Sequence, residues 1–271
     1  MKRIAALALA LTATVALAQT AVVGGHAHND YEHDRPLYEA LERGYKEIES
    51  DVFLAFDELF VAHDSYAMQF GRTLQSLYLD PLRERIRQNG GSAWPEGTEG
   101  RDQQLWLAID VKTGTEETWA KLDEVLSQYD DILTSFGPDG VIEERPVMVI
   151  ISGNRARETM LAADVRYAAY DGRMGDLESD LPAHFIPLIS DNWNNHFEWR
   201  GEGEMPEEER QKLHDIVEQA HADGRAVRFW ATPDQPGEAR DNIWRELLAA
   251  GVDLINTDHL EDGETFMLEN R

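Results

Sequence analysis

The chain contains 271 residues, of which 52 are acidic and 25 are basic, so its formal net charge is −27 at pH 7. Such a charge disfavours binding to nucleic acid or anionic lipid, because both are bound through basic surface patches. The hydrophobic fraction of 42% is enough for a large core, so the acidity does not indicate disorder. The chain has no cysteine, which excludes disulfides, thiolate metal sites and cysteine nucleophiles.

The N-terminal residues have the pattern of a secretory signal peptide. Two basic residues follow Met1, and residues 4–18 are almost entirely Ala, Leu, Val and Thr, ending in Ala-Leu-Ala. This apolar run is shorter than the roughly 20 residues that a membrane-spanning helix needs. We therefore expect cleavage after Ala18 and export to the periplasm or the extracellular space, with an uncleaved anchor as the alternative. Residues 19–271 are then expected to form one domain without a membrane anchor.

Strands alternate with amphipathic helices along the rest of the chain. Strands are predicted over 22–25, 47–54, 59–62, 105–111, 147–151, 167–170, 185–189, 226–230 and 252–255. Helices are predicted over 36–43, 80–88, 116–128, 207–222 and 243–250. Segment 59–62 is interpreted as the return strand of a hairpin, and the remaining units predict an α/β fold, a (β/α)₈ TIM barrel. A doubly wound open sheet is the competing fold, but its glycine-rich phosphate-binding turn is missing.

Carboxylates recur at the ends of the predicted strands, where the working residues of such a barrel lie. Glu49 and Asp51 are two residues apart, so both side chains point to the same face of their strand, and Asp110 and Lys112 repeat this geometry. Three carboxylates converging in the barrel mouth are costly without a cation. Oxygen ligands suit one Mg²⁺ or Ca²⁺ ion rather than zinc. The alternative is that these positions face solvent on a half-exposed strand.

Two histidines flank this carboxylate cluster in the chain. His26 ends the first predicted strand, and His63 follows the return strand. Two imidazoles beside a metal-bound phosphate can divide the roles of general acid and general base near neutral pH. His28 lies two residues from His26, and the sequence leaves open whether it is catalytic or braces the loop.

Short motifs at both ends of the chain form a longer pattern. They are His26, Pro36-Leu37, Gly44, Ile48-Glu49-Ser50-Asp51-Val52, Val61-Ala62-His63-Asp64, Asp110-Val111-Lys112, Arg228-Phe229-Trp230 and Gly251-Val252-Asp253-Leu254-Ile255-Asn256-Thr257-Asp258. The pattern resembles the glycerophosphodiester phosphodiesterases and their relatives in the phospholipase C-like phosphodiesterase superfamily. It departs from the glycerophosphodiesterases in having Ala after His26 and Asp rather than Glu at position 110. It is most similar to the branch containing the yeast altered inheritance of mitochondria protein 6.

The resemblance implies a TIM barrel of the phospholipase C-like type that acts as a phosphoric diester hydrolase. It implies these roles: Glu49, Asp51 and Asp110 hold one divalent cation, His26 and His63 are the acid and base pair, and Lys112 neutralises a phosphate oxygen. The substrate is then expected to be a small glycerophosphodiester or a (lyso)phospholipid.

Three further residues are candidates for substrate binding. Arg173 follows a predicted strand and can supply the phosphate contact missing after the first strand, although an ion pair with Asp171 is the simpler interpretation. Trp230 and Asn256 lie near the ends of the last two strands, where they can line the pocket, with a core position as the alternative for Trp230.

Two other function classes stay open from the sequence. The His26-Ala27-His28 motif also occurs on the first strand of metal-dependent amidohydrolases. That class uses further histidines and often a lysine on the middle strands, whereas the strand over 147–151 is followed by Ser152-Gly153. A secreted barrel that binds sugar or lipid without catalysis is the second alternative.

Overall fold

A computed structural model describes residues 21–270, so the predicted signal peptide lies outside the described residues. The strands are β1 (Val23–Ala27), β2 (Tyr45–Ala55), β3 (Glu58–Val61), β4 (Leu105–Val111), β5 (Ser135–Phe136), β6 (Ile142–Glu143), β7 (Val147–Gly153), β8 (Ala168–Gly172), β9 (Leu188–Asn192), β10 (Ala226–Trp230) and β11 (Leu254–Thr257). The α-helices are α1 (Tyr38–Glu42), α2 (Asp80–Gln88), α3 (Thr115–Leu126), α4 (Arg157–Ala162), α5 (Trp193–His196), α6 (Glu207–Ala222), α7 (Glu238–Ala250) and α8 (Leu260–Glu269).

Parallel strands form a closed barrel in the order β1, β2, β4, β7, β8, β9, β10 and β11, because β1 pairs with both β2 and β11. Strand β3 pairs antiparallel with β2 and forms a hairpin at the rim, while β5 and β6 form a separate small hairpin. The predicted (β/α)₈ barrel is confirmed. Within residues 21–270, every helix is too short or too polar to cross a bilayer.

The interior of the barrel changes from apolar to polar along the strands. Near the strand starts, side chains including Trp106, Met148 and Leu254 form an apolar cluster inside the barrel. Alternate residues of a strand share a face, so Ala108 and Asp110 point to the same side of β4 as Trp106. Along this face, the side chains change from Trp106 through Ala108 to the charged Asp110. The polar end of the interior therefore coincides with the carboxyl ends of the strands.

Several element boundaries differ from those predicted. Strand β9 begins at Leu188 rather than 185, because a turn in which Pro182 O accepts the amides of Phe185 and Ile186 occupies the apolar residues before it. Helices α4, α5 and α8 were not among the predicted elements. Helix α8 nevertheless buries Leu260 and Met267, and it packs most closely on β1 and β11.

Candidate functional site

The carboxyl ends of the barrel strands surround a cavity of about 520 Å³. Most of the residues that line it have polar or charged side chains, and they include His28, Asn29, Glu49, Asp51, His63, Asp110, Lys112, Ser152, Arg173, Arg228, Trp230, Thr232, Asp234, Asn256 and Asp258. Eight of the nine site residues predicted from the sequence lie in this wall, the ninth being His26. The cavity is the candidate active site because the predicted metal, phosphate and acid–base groups meet there.

Strand pairing brings the three predicted metal ligands together. Glu49 and Asp51 lie on one face of β2, and Asp51 is directly opposite Asp110 on β4. One carboxylate oxygen from each of the three residues lies within 4.8 Å of those from the other two. Glu49 and Asp51 are buried and Asp110 is half-buried. Among residues 21–270, this is the one group of three acidic or histidine side chains whose atoms converge in this way.

The chemistry of this carboxylate cluster fits a divalent cation. Asp51 Oδ1 is buried and has no hydrogen-bond partner among the described residues. Burial and the charge of Glu49 raise the pKa of Asp51 to about 6, against the opposing effects of Lys112 and the Tyr31 hydroxyl. Burial also raises the pKa of Asp110, in spite of Lys112. The cluster therefore has more negative charge than Lys112 compensates, and its donors are the oxygens that Mg²⁺ and Ca²⁺ prefer.

Strand β7 constrains Asp110 from the side. Gly153 has φ +66°, and a Cβ atom at this position would overlap Asp110 Oδ1 and the backbone of Val111. A larger residue would therefore displace the carboxylate. This close approach explains why glycine occupies position 153, the last residue of β7.

Two histidines line the cavity. His28 Nδ1 lies 2.7 Å from Asp258 Oδ1. Burial opposes protonation of His28, but Asp258 and Glu49 outweigh it and raise the pKa of His28. His63 is exposed and lies 3.4 Å from Asp64 Oδ2, which also accepts a hydrogen bond from the Tyr66 hydroxyl. Each histidine thus has a carboxylate beside Nδ1. The Nε2 atom of His28 lies 3.7 Å from Glu49 Oε2 and so faces the carboxylate cluster.

His26 lies beneath the cavity and is fully buried. Its Nδ1 is 2.6 Å from Glu47 Oε2, and its Nε2 contacts the guanidinium of Arg228. The Nε2 atom is also 3.6 Å from Glu49 Oε2. The predicted proximity of His26 to the carboxylate cluster is present in the structure, but the imidazole itself does not line the cavity.

Residues 14–171 match the family described as the AIM6-like phosphodiesterase domain. The chain belongs to this family. Residues 226–261 of this AIM6-like chain also match the glycerophosphoryl diester phosphodiesterase family. These two matches cover both ends of the barrel, as the motifs in the sequence predicted.

Individual proteins similar to this AIM6-like domain come from fungi and bacteria. An altered inheritance of mitochondria protein 6 homolog from Arthroderma benhamiae is 32% identical over 252 residues, covering 86% of this chain and 80% of the homolog. Altered inheritance of mitochondria protein 6 from Eremothecium gossypii is 27% identical over 267 residues, covering 87% and 67% of the two chains. The solved phosphatidylinositol-specific phospholipase C from Listeria monocytogenes matches with a TM-score of 0.52 and 9% identity, covering 94% and 96% of the two chains. This last match supports the fold alone.

Sequence reasoning missed a charged network inside the barrel of the AIM6-like domain. The buried Arg228 guanidinium lies 3.9 Å from Glu47 Oε2 and 3.8 Å from Asp171 Oδ2. Burial opposes the charge of Arg228, but these carboxylates outweigh it and raise its pKa. Two signals were present in the sequence. Glu47 extends the two-residue spacing of Glu49 and Asp51, and Arg228 is a charge in the middle of an apolar strand.

The predicted substrate-binding residues have different surroundings. Arg173 is paired with Asp171, whose Oδ2 is 2.7 Å from its Nη1, as the simpler interpretation of the sequence expected. It also lines the cavity, and its contact with a phosphate stays a prediction. Trp230 is half-buried at the end of β10 and lines the cavity. Asn256 is buried on β11, and its Oδ1 has no hydrogen-bond partner among the described residues.

Proposed function

We propose that this AIM6-like domain hydrolyses a phosphodiester in a reaction that depends on one Mg²⁺ or Ca²⁺ ion. The observation that carries the proposal is the convergence of the carboxylate cluster with Lys112, Arg173 and Arg228 in one cavity. On a chain with a net charge of −27, a phosphate group needs such a local source of positive charge. The two phosphodiesterase families that the chain matches support the same reaction class.

The carboxylates Glu49, Asp51 and Asp110 would hold the cation. When bound, such an ion stabilises negative charge on the phosphate oxygens as a Lewis acid. Lys112 and Arg173 bind the remaining phosphate oxygens, and their fixed charges stabilise the transition state in a partly buried site. Trp230 and Asn256 contact the alcohol portion of the substrate.

Proton transfer is assigned to the histidines of the cavity wall. His28 and His63 serve as the general acid and base, one removing a proton from the attacking hydroxyl and the other donating a proton to the leaving alcohol. Asp258 orients His28 through their 2.7 Å contact. For His26 the acid–base role stays a prediction, because its ring approaches the cavity wall at Glu49 but does not form part of it.

The proposed substrate is a glycerophosphodiester or a (lyso)phospholipid, which the protein would bind after its export from the cytoplasm. Export rests on the pattern of residues 1–18 and is tested by N-terminal sequencing of the protein from the periplasm or the medium. A start at Gln19 is the expected result.

The activity is tested with bis(p-nitrophenyl) phosphate, followed by a panel of glycerophosphodiesters and lysophospholipids with product analysis. We expect turnover by the wild type, loss of turnover after EDTA treatment and recovery when Mg²⁺ or Ca²⁺ is added. Glu49→Gln should be inactive, whereas Glu218→Gln, an exposed acid on α6, should match the wild type. Equal turnover by the wild type, the EDTA-treated sample and Glu49→Gln would refute the proposal.

The amidohydrolase alternative has less support from the geometry. The rings of His26 and His28 are 6.2 Å apart, and among the described residues the converging carboxylate cluster contains no histidine. Metal analysis separates the two alternatives, because bound zinc with amidase activity would favour the amidohydrolase.

A further inference from the structure

Exposed aromatic rings lie beside the candidate active site. Phe56 at the tip of the β2–β3 hairpin is 83% exposed, and Phe70 in the loop after β3 is 86% exposed. The Phe70 ring centroid lies 6.3 Å from that of Phe56 and 5.8 Å from that of the buried Phe60. These three rings form one group, here called the aromatic patch. Single exposed apolar residues are common, but neighbouring large rings that no core covers mark an interaction surface.

The backbone at the hairpin tip points to the same conclusion. Phe56 and Asp57 have φ values of 50° and 64°, the left-handed conformation of a tight two-residue turn. Glycine and asparagine adopt this conformation at low cost, whereas a bulky aromatic residue is strained there. Phe56 gains no burial within the described residues in return for this strain. The stability of the fold therefore does not explain why phenylalanine occupies position 56. A contact with another molecule would explain it.

The loop that carries Phe70 borders a groove that meets the cavity at His63. Strand β2 pairs with β4 as far as Val52, and beyond this point it pairs only with β3, so the hairpin leaves the barrel next to the carboxylate cluster. A groove of about 300 Å³ that includes Tyr66 and Gln69 shares His63 with the active-site cavity. It leads along the loop that carries Phe70. A substrate bound at the carboxylate cluster can thus extend past His63 towards the patch.

Contacts with the barrel fix the hairpin in place. The backbone amide of Leu54 donates a 2.9 Å hydrogen bond to Thr113 Oγ1, and Asp57 is 3.1 Å from the ammonium group of Lys121 on α3. The rings are therefore presented by an ordered element, which lowers the entropic cost of docking.

We propose that the aromatic patch docks on a zwitterionic lipid surface, so that the substrate is a phosphodiester of an amphiphile taken from that surface. This inference rests on the proposed function of the cavity. Aromatic rings favour the boundary between headgroups and acyl chains. The net charge of −27 and the exposed Glu58 beside the patch select against an anionic surface. Docking places the neighbouring cavity at the height of the phosphate groups.

Binding is tested by sedimentation of the full chain with phosphatidylcholine vesicles in EDTA, which prevents turnover. We expect the wild type to sediment with the vesicles and Phe56→Ser/Phe70→Ser to bind at least about tenfold more weakly. The matched control is Leu161→Ser/Val165→Ser, which removes two side chains that are 39% and 44% exposed, between β7 and β8. The control should bind like the wild type. Absence of vesicle binding by the wild type, or equal binding by the Phe56 and Phe70 variant, overturns the inference.

Two further measurements separate this inference from the proposed function. Phe56→Ser/Phe70→Ser should turn over bis(p-nitrophenyl) phosphate like the wild type and should lose activity only towards aggregated lysophospholipid. If the wild type hydrolyses no phosphodiester, the proposed function fails while vesicle binding still decides the role of the patch. If sedimentation velocity shows a dimer that this variant dissociates, and vesicles are not bound, the patch joins two copies of the chain and the lipid inference is wrong.

Discussion

The ammonium group of Lys112 lies 3.0 Å from Asp51 Oδ2 and 3.4 Å from Asp110 Oδ1, between two of the three proposed metal ligands. Burial opposes the charge of Lys112, but these carboxylates outweigh it and raise its pKa, so the lysine stays charged. The same residue is proposed to bind a phosphate oxygen. Lys112 thus competes with the cation for the carboxylates while it contributes to transition-state binding.

Replacing Lys112 should therefore separate cation binding from catalysis. In Lys112→Met, turnover of bis(p-nitrophenyl) phosphate should fall by about 10²–10³, the usual effect of removing a group that stabilises developing charge. Cation affinity, measured by isothermal titration calorimetry, should stay equal or increase because a competing positive charge is gone. A large loss of cation affinity together with activity would mean that Lys112 supports the metal site instead.

Stabilisation by the cation should depend on pH. The pKa of Asp51 is raised to about 6 in the cation-free protein, so the folded state holds this proton more tightly than the unfolded chain. The resulting stabilisation is present at low pH and is lost as the pH rises from about 4 through 6. Cation binding requires the deprotonated carboxylates, so added Mg²⁺ or Ca²⁺ should raise Tm more at pH 7 than at pH 5. Equal increases in Tm at both pH values would contradict this assignment.

Arg228 should be important for stability. Arg228→Met leaves Glu47 buried without its arginine, while Asp171 keeps its ion pair with Arg173, so the free energy of unfolding should fall by about 3–5 kcal/mol. Urea unfolding monitored by circular dichroism measures the change. Arg35→Met is the control, since it removes an exposed arginine that is paired with Glu42, and it should unfold like the wild type. If the free energy of unfolding falls only slightly in both variants, the prediction is wrong, and water reaches the charged groups inside the barrel.

The position of Asp110 should be sensitive to the glycine beside it. Gly153→Ala adds a Cβ atom where the Asp110 carboxylate lies, so cation affinity should fall by about 10–100-fold. Gly71→Ala is the matched control, because Gly71 also has a positive φ but no neighbour within 4 Å of an added Cβ atom. The control should show only the backbone strain of about 1–2 kcal/mol and bind the cation normally. Titration calorimetry of both variants makes the comparison.

The pair formed by His28 and Asp258 should control the pH dependence of catalysis. His28→Ala should lower kcat by about 10²–10⁴, as expected for a general acid or base. Asp258→Asn removes a carboxylate that raises the pKa of His28, so the corresponding limb of the pH–rate profile should move to lower pH. If His26→Ala abolishes turnover at unchanged Tm while His28→Ala does not, the acid–base role belongs to His26.

The carboxylate cluster was predictable from sequence because it depends on local spacing and on neighbouring strands. Glu49 and Asp51 share a face of one strand by periodicity, and Asp110 ends the next strand in the barrel. The contact between His28 and Asp258 spans 230 positions and exists only because β1 pairs with β11. Spacing along the chain therefore gave no signal that His28, rather than His26, faces the cavity.

The interior charges were missed for a different reason. A charge in a strand is ordinarily interpreted as facing solvent, but both faces of a closed barrel are covered, so Arg228 has to find partners inside. The predicted start of strand β9, at residue 185, precedes its actual start at Leu188. The reason is that an apolar turn and a buried strand can have the same composition.

Closure of the barrel by its first and last strands determines when the cavity wall is completed during synthesis. Asn256 lies on β11 and Asp258 follows it, so the cavity wall has a gap until the final strand is inserted. A chain whose synthesis has not yet reached β11 contains the residues of the carboxylate cluster but lacks the partner of His28. The cavity wall is therefore completed by one of the last segments of the chain to be made, although its carboxylate cluster comes from the first half of the chain.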